Sequence, residues 1–267
     1  MEEALKYTLI TGGSRGIGKA LAGEFAGRGM NLLLVAKPDD GLEAAAEELD
    51  AEYPVEVHFL TQDLRDSDGP RNVWEWCRKE DYRVDILVNN AGVAGTTFFE
   101  ESDPSYSDER ILVNVRALVL LTRYFLPELK THGKAYILNI GSMSSYYSIA
   151  YKSVYSASKA FVNNFTRALK QELRGSMVSI TVVNPNGVRT NEGTLGRIDS
   201  HSRFARRFLI LEVGEIARIS VDKMLKGKTV VIPGFMNRLV VLITRMIPAG
   251  LRERLSAKIF QKELTGV

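Results

Sequence analysis

The chain opens on a short apolar, β-branched run, Tyr7-Thr8-Leu9-Ile10-Thr11, which stops at a glycine-rich turn, Gly12-Gly13-Ser14-Arg15-Gly16-Ile17-Gly18. Apolar residues at helical spacing follow at once, at Ile17, Leu21, Phe25 and Ala26. The unit is strand, glycine turn, helix, and the alternation it starts runs through most of the chain. Asn31-Leu32-Leu33-Leu34-Val35-Ala36 is continuously apolar, as a strand buried on both sheet faces should be. A helix over Leu42–Ala51 leads to a strand at Val55–Leu60, and an amphipathic stretch holding Trp74 and Cys77 leads to another at Asp85–Val88. Later strands are predicted at Ala135–Ile140, Val178–Val183 and Thr229–Ile232, with helices at Ser105–Leu129, from Tyr155 onward, and at Val213–Leu225. Short connections and no internal repeat or low-complexity linker predict an α/β fold on a parallel, doubly wound sheet.

Composition narrows the classes. The 267 residues are 45% hydrophobic and 25% charged, the profile of one large soluble domain with a sizeable core. A net charge of +3 over a mixed surface offers no basic stripe for nucleic acid. The single cysteine, Cys77, excludes an internal disulfide framework and fits a reducing compartment. No charged-then-apolar leader precedes Tyr7, and no apolar run approaches the roughly 20 residues a membrane span needs. A cytoplasmic chain without a metal site is expected.

Glycines between the first strand and helix let the backbone approach a pyrophosphate and aim the free N–H groups of the helix N-terminus at it. The spacing is Gly-x-x-x-Gly-x-Gly rather than Gly-x-Gly-x-x-Gly. The same residues satisfy the Gly-x-Ser-x-Gly elbow of a serine hydrolase with Ser14 as nucleophile. That reading needs an acid and one of His58, His132 or His201, none of which stands in a catalytic setting by sequence. Directly after the second strand, an acid would hold the ribose 2'-hydroxyl of NAD, whereas basic residues accommodate the 2'-phosphate of NADP. Lys37 ends that strand and Arg15 stands in the turn, so NADP(H) is expected, while Asp39 and Asp40 keep NAD in play.

Tyr155-Ser156-Ala157-Ser158-Lys159 carries the second constraint. In a helix, residues four apart stack on one face, so phenol and ammonium point the same way. A cation about 4 Å from a phenol, at an effective dielectric near 20, is worth on the order of 4 kcal/mol, or roughly three pKa units. Ser142 emerges at the carboxyl end of the fifth strand, where ligands of such sheets bind. Ser144 and Ser145 compete for its role.

Taken together, Thr11-Gly12-x-x-x-Gly16-x-Gly18, Asn89-Asn90-Ala91-Gly92, Ser142 thirteen positions before Tyr155, and Tyr155-x-x-x-Lys159 resemble the short-chain dehydrogenase/reductase family over roughly residues 7 to 233. The resemblance implies a Rossmann-type domain over residues 1–235 and an oxidoreductase in which Ser142 and Tyr155 bind a carbonyl oxygen. Tyr155 would act as general acid and Lys159 would tune it, while Asn114 would bend its helix and hold a relay water. Gly12, Ser14, Arg15, Gly16, Ile17, Gly18, Lys37, Asp63, Leu64, Asn90, Ala91 and Gly92 would contact the cofactor, with Asp63 at the adenine and Asn90 steadying the sheet. Tyr155, Lys159, Pro185, Val188 and Thr190 would complete that set. A lid is implied over about residues 188–212. Relatives carry glycine where this chain has Asn186, and a positive φ there is the expectation. A non-catalytic dinucleotide-binding sensor or scaffold is the alternative reading.

Two regions point outward. The 105–129 helix is apolar on more than one face, and the resemblance implies a partner subunit, in a homodimer or homotetramer, packed on it and on the helix from Tyr155. Residues 236–267 form an extension with apolar Leu239, Val240, Ile243, Met246 and Ile247, a break at Pro248, then Leu251, Leu255 and Ile259 among basic residues. Packing on the domain or on a second subunit is favoured over a membrane surface.

Overall fold

The computed structural model describes residues 5–187 and 210–265. Seven parallel strands form one sheet in the order β3-β2-β1-β4-β5-β6-β7. They are β1 Lys6–Thr11, β2 Asn31–Ala36, β3 Val57–Thr61, β4 Arg83–Asn89, β5 Ala135–Ile140, β6 Val178–Val183 and β7 Val230–Val231. Helices α1 Gly16–Ala26, α2 Leu42–Glu52, α3 Gly69–Lys79, α4 Pro104–Ile111, α5 Leu118–Leu129 and α6 Ser153–Glu172 fill the crossovers. They are followed by α7 Val213–Leu225, α8 Phe235–Met246 and α9 Ala249–Thr265.

Because the sheet is covered on both faces, its strands are apolar without alternation, and the core divides in two. One layer packs Ile10, Leu32, Leu34 and Val88 against Leu21, Phe25 and Met224, and the other packs Leu9, Leu33, Leu87 and Ile137 against Phe125, Leu129 and Leu169. Strand order reverses between β1 and β4, and the crevice beyond their carboxyl ends is where such sheets bind ligands. Among the described residues no helix is long and apolar enough to cross a membrane.

The predicted continuous helix over 105–129 is broken. Between α4 and α5 lies a π-helical turn, Leu112–Ala117, which carries the buried Asn114. Asn186 was expected at positive φ, yet Asp39, Asp81 and Tyr151 are the non-glycine residues with that geometry among those described. Val188, Thr190 and the predicted lid up to residue 209 lie outside the described residues.

Candidate active site

The glycine turn is pulled tight by the side chains of Asn90, just after β4, and Thr11, at the end of β1. Asn90 donates through Nδ2 to the carbonyls of Thr11 (2.9 Å) and Gly12 (3.0 Å), while the Thr11 hydroxyl accepts from the N–H groups of Asn90 and Ala91, both at 3.1 Å. Gly12 sits at φ +66°, and a Cβ on Gly18 would run into the Gly12 carbonyl and the Asn90 amide. Only glycine permits this approach of helix to turn. The α1 N-cap, Arg15, makes no side-chain cap bond, so the first N–H groups of the helix remain available to an anion.

This turn forms one end of a cleft of about 990 Å³ that runs along the carboxyl edge of the sheet. Of the sequence-predicted cofactor residues that are described, all but Ser14 line it. Ser14 instead donates to Asp40 (2.9 Å), which also pairs with Arg15 (3.0 Å). Asp63 lies on the wall, but its carboxylate is gripped by Arg65 Nε (2.9 Å) and Nη2 (2.5 Å), which hold it below the usual carboxylate range. The adenine contact expected of Asp63 therefore competes with an arginine two residues away.

Ser142, Tyr155 and Lys159 line the same cleft. Tyr155 and Lys159 stand one turn apart on α6, so both meet the crevice from one helix face. Lys159 is fully enclosed, its Nζ donates to the Ile140 carbonyl (2.9 Å), and burial lowers its pKa to about 8. It stays mostly protonated at neutral pH. A Cβ on Gly92 would stand 3.3 Å from that amine and 3.2 Å from Asn114 Oδ1, which places the β4 loop against both residues.

Asn114 works locally as a clamp. Its Oδ1 accepts from Val93 N–H (2.7 Å), and its Nδ2 donates to the Val93 carbonyl (2.9 Å) and to Ser158 Oγ (3.0 Å). Ser158 in turn donates to the Tyr155 carbonyl (2.7 Å), so the π-helical turn is tied to the turn of α6 that presents the phenol.

Sequence left three serines in competition, and the structure separates them. Ser145 spends its hydroxyl on Asn184 (3.4 Å), whereas Ser142 and Ser144 reach the cleft. Ser142 Oγ accepts from Ser144 N–H (3.1 Å), and the buried Ser144 Oγ has no hydrogen-bond partner. Sequence reasoning gave no role to Asn184, which lies fully buried at the end of β6. It accepts from Ser142 N–H (3.1 Å) and donates to Tyr146 OH (3.0 Å) and Asn163 Oδ1 (3.1 Å). A Cβ on Gly141 would collide with its amide oxygen, which accounts for the glycine before Ser142.

The far wall comes from the extension. Val240 and Thr244 of α8, Ile247 just after it, and Arg252, Leu255 and Phe260 of α9 line the cleft. Tyr147 OH and Thr244 Oγ1 share a 2.6 Å hydrogen bond, and the Arg252 guanidinium stands 5.5 Å from the Tyr147 ring. Of the two packing partners favoured on sequence, the domain or a second subunit, the extension meets the domain. The outer side still exposes Leu242, Ile243 and Met246.

Among the described residues the hydrolase elbow does not assemble, and the third candidate histidine, His201, lies outside them. Ser14 is bonded to Asp40, His58 lies in β3 against Tyr82 and Glu56, and His132 is buried just before β5.

A family model described as short chain dehydrogenase matches residues 6–195. The chain is 37% identical over 191 residues to sulfoacetaldehyde reductase 2 of Chromohalobacter salexigens, covering 71% of this chain and 75% of that protein. It is 30% identical over 197 residues to very-long-chain 3-oxoacyl-CoA reductase of Anas platyrhynchos, covering 72% of this chain and 62% of that one. A solved short-chain dehydrogenase from Sphingobium yanoikuyae, in complex with NADPH, superimposes with a TM-score of 0.76 at 31% identity, covering 92% of this chain and 97% of that one.

Proposed function

As the chain belongs to the short-chain dehydrogenase family, we propose that it is an NADP(H)-dependent oxidoreductase that interconverts a ketone or aldehyde with its alcohol. Its residues fit such a cofactor: the glycine turn admits close backbone approach, the α1 N-terminus offers unpaired N–H groups, and Arg15 and Lys37 supply cations at that end. When bound, NADPH supplies the hydride that reaches the carbonyl carbon. Ser142 and Tyr155 hold the carbonyl oxygen between them, and Tyr155 gives its phenolic proton to that oxygen as the C–O bond becomes single. Lys159 keeps a positive charge beside the phenol and stabilises the phenolate left behind. Asn114 sets the position of Tyr155 through Ser158 and holds the relay water that returns a proton.

The observation that carries this reading is the meeting of Ser142, Tyr155 and the enclosed Lys159 on the wall of the cleft that begins at the glycine turn. The apolar walls from α8 and α9 favour a lipophilic or acyl-type substrate. Exposed Ile111, and Phe161 stacked on Phe165, leave apolar surface on the central helices that a second copy would cover in a homodimer or homotetramer. The test is NADPH oxidation over a panel of aldehydes and ketones, with and without lipophilic tails. Turnover with at least one of them supports the proposal, and tight NADPH binding without any turnover would make the protein a dinucleotide sensor instead.

A further inference from the structure

The carboxylates that line the cleft, Asp40, Asp63 and Glu109, all belong to its nucleotide end, where Arg15 and Arg65 neutralise them. The opposite end is different. There the described lining residues include two cations, Lys152 and Arg252, and no carboxylate. Arg252 is the first residue of a stripe at helical spacing on α9, Arg252, Ser256 and Phe260, that faces the cleft. Lys152 Nζ lies 4.4 Å from the centre of the Phe260 ring, about two turns along α9 from Arg252. Arg252 is incompletely satisfied. Its Nη1 reaches the Thr244 carbonyl at 3.3 Å, but its buried Nε has no acceptor and it forms no ion pair among the described residues. A buried guanidinium donor without an acceptor is unfavourable unless a ligand supplies one.

We propose that Arg252 is an anion-binding subsite in the substrate chamber. The molecule it takes carries a compact carboxylate or sulfonate at one end of an apolar body, seated between Ile247, Leu255, Ile259 and Phe260. A guanidinium presents paired donors to a planar or tetrahedral oxyanion, which suits that end of the ligand. The identity of the reducible group rests on the oxidoreductase reading above, but anion binding at Arg252 does not. Residues 247–260 also lie beyond the family match, which ends at residue 195.

The test uses the full chain with NADP+ present and reads binding by calorimetry of three probes: octanoate, octane-1-sulfonate and 1-octanol. Both anions are expected to bind on the order of tenfold or more tighter than the alcohol. Arg252→Met should remove that preference, while Arg254→Met, at an exposed position two residues on, should keep it. If Arg252→Met does not fold, Arg252→Gln, which retains a donor for Thr244 without the charge, takes its place. Equal affinities in the wild type, or a preference that survives loss of Arg252, would overturn the proposal. A parallel assay of NADPH oxidation by a keto acid and its methyl ester separates the two ideas. Anion binding through Arg252 without turnover of either ketone would keep the subsite and remove the reductase, whereas turnover with no preference for the acid would do the reverse.

Discussion

Asn186 Nδ2 donates to Asn237 Oδ1 at 3.1 Å, joining the turn after β6 to the first turn of α8. Asn237 is almost fully buried and donates in its own right to the Pro233 carbonyl at 3.0 Å. Asparagine at 186 is thus not a tolerated substitute in a left-handed turn. It is the peg that holds the extension over the cleft, and it ties one wall of the site to the other.

Removing the Asn237 side chain breaks the bonds to Asn186 and to the Pro233 carbonyl. Asn237→Ala should lower stability by at least about 2 kcal/mol, with roughly 1 kcal/mol for each of these hydrogen bonds. Because the wall it holds is the one assigned to substrate in the proposed function, KM for the ketone should rise while NADPH affinity holds. Urea denaturation and steady-state kinetics measure the two effects, and an unchanged midpoint would remove the peg from the account.

Lys159 sets a stability cost that depends on pH. Its folded-state pKa, lowered by burial to about 8 from 10.5, means the folded chain binds this proton less well than the unfolded chain. The penalty is therefore present in full below pH 8 and relieved as pH rises from about 8 to 10.5. At about 1.4 kcal/mol per unit this is about 3 kcal/mol, of which the bond to the Ile140 carbonyl offsets about 1. Lys159→Met should then be inactive, yet more stable at pH 7 by about 2 kcal/mol, with the advantage shrinking towards pH 10. Paired melts across that range check the sign, and a less stable variant would contradict it.

Asn184 holds Ser142 by its backbone N–H. Asn184→Leu keeps the branched shape but leaves that N–H and the Asn163 amide oxygen unpaired, a loss of about 2–4 kcal/mol in stability. Turnover should fall at least about tenfold, since small misplacements of a reacting group are costly, with little change in NADPH binding. If kcat is retained, Ser142 does not depend on this support.

Under the proposed function Arg15, which would have to leave Asp40, and Lys37 meet the 2'-phosphate of NADP(H). Replacing either by alanine should weaken NADPH binding by about tenfold and NADH binding far less, because each side chain serves the additional phosphate that NADH lacks. Fluorescence titration with both cofactors decides it, and an equal weakening of the two would place the phosphate elsewhere.

Strands β2, β5 and β6 and helix α7 occur where the sequence predicts them, because burial on both faces or a steady helical period writes itself into local composition. The π-helical turn at Leu112–Ala117 was not legible, since apolar residues run through it without a break and its cause is Asn114 bonding to Val93, 21 residues away. Periodicity likewise marked 236–264 as amphipathic but could not say which surface its apolar face would meet. Asn184 carries no signal in the sequence, because the residues that make it structural, Tyr146 and Asn163, come to it only when the sheet closes. Asp63 was read without Arg65, although the pair is visible in the sequence as opposite charges two residues apart.

The most direct measurement is made on Tyr155→Phe, which deletes one oxygen from the cleft wall. Its melting temperature and NADPH affinity should match the wild type, while NADPH oxidation with any ketone that the wild type reduces should fall by about 10²- to 10⁴-fold, the range for loss of a general acid. Turnover within about tenfold of wild type would contradict the assignment of Tyr155 as proton donor, and with it the mechanism.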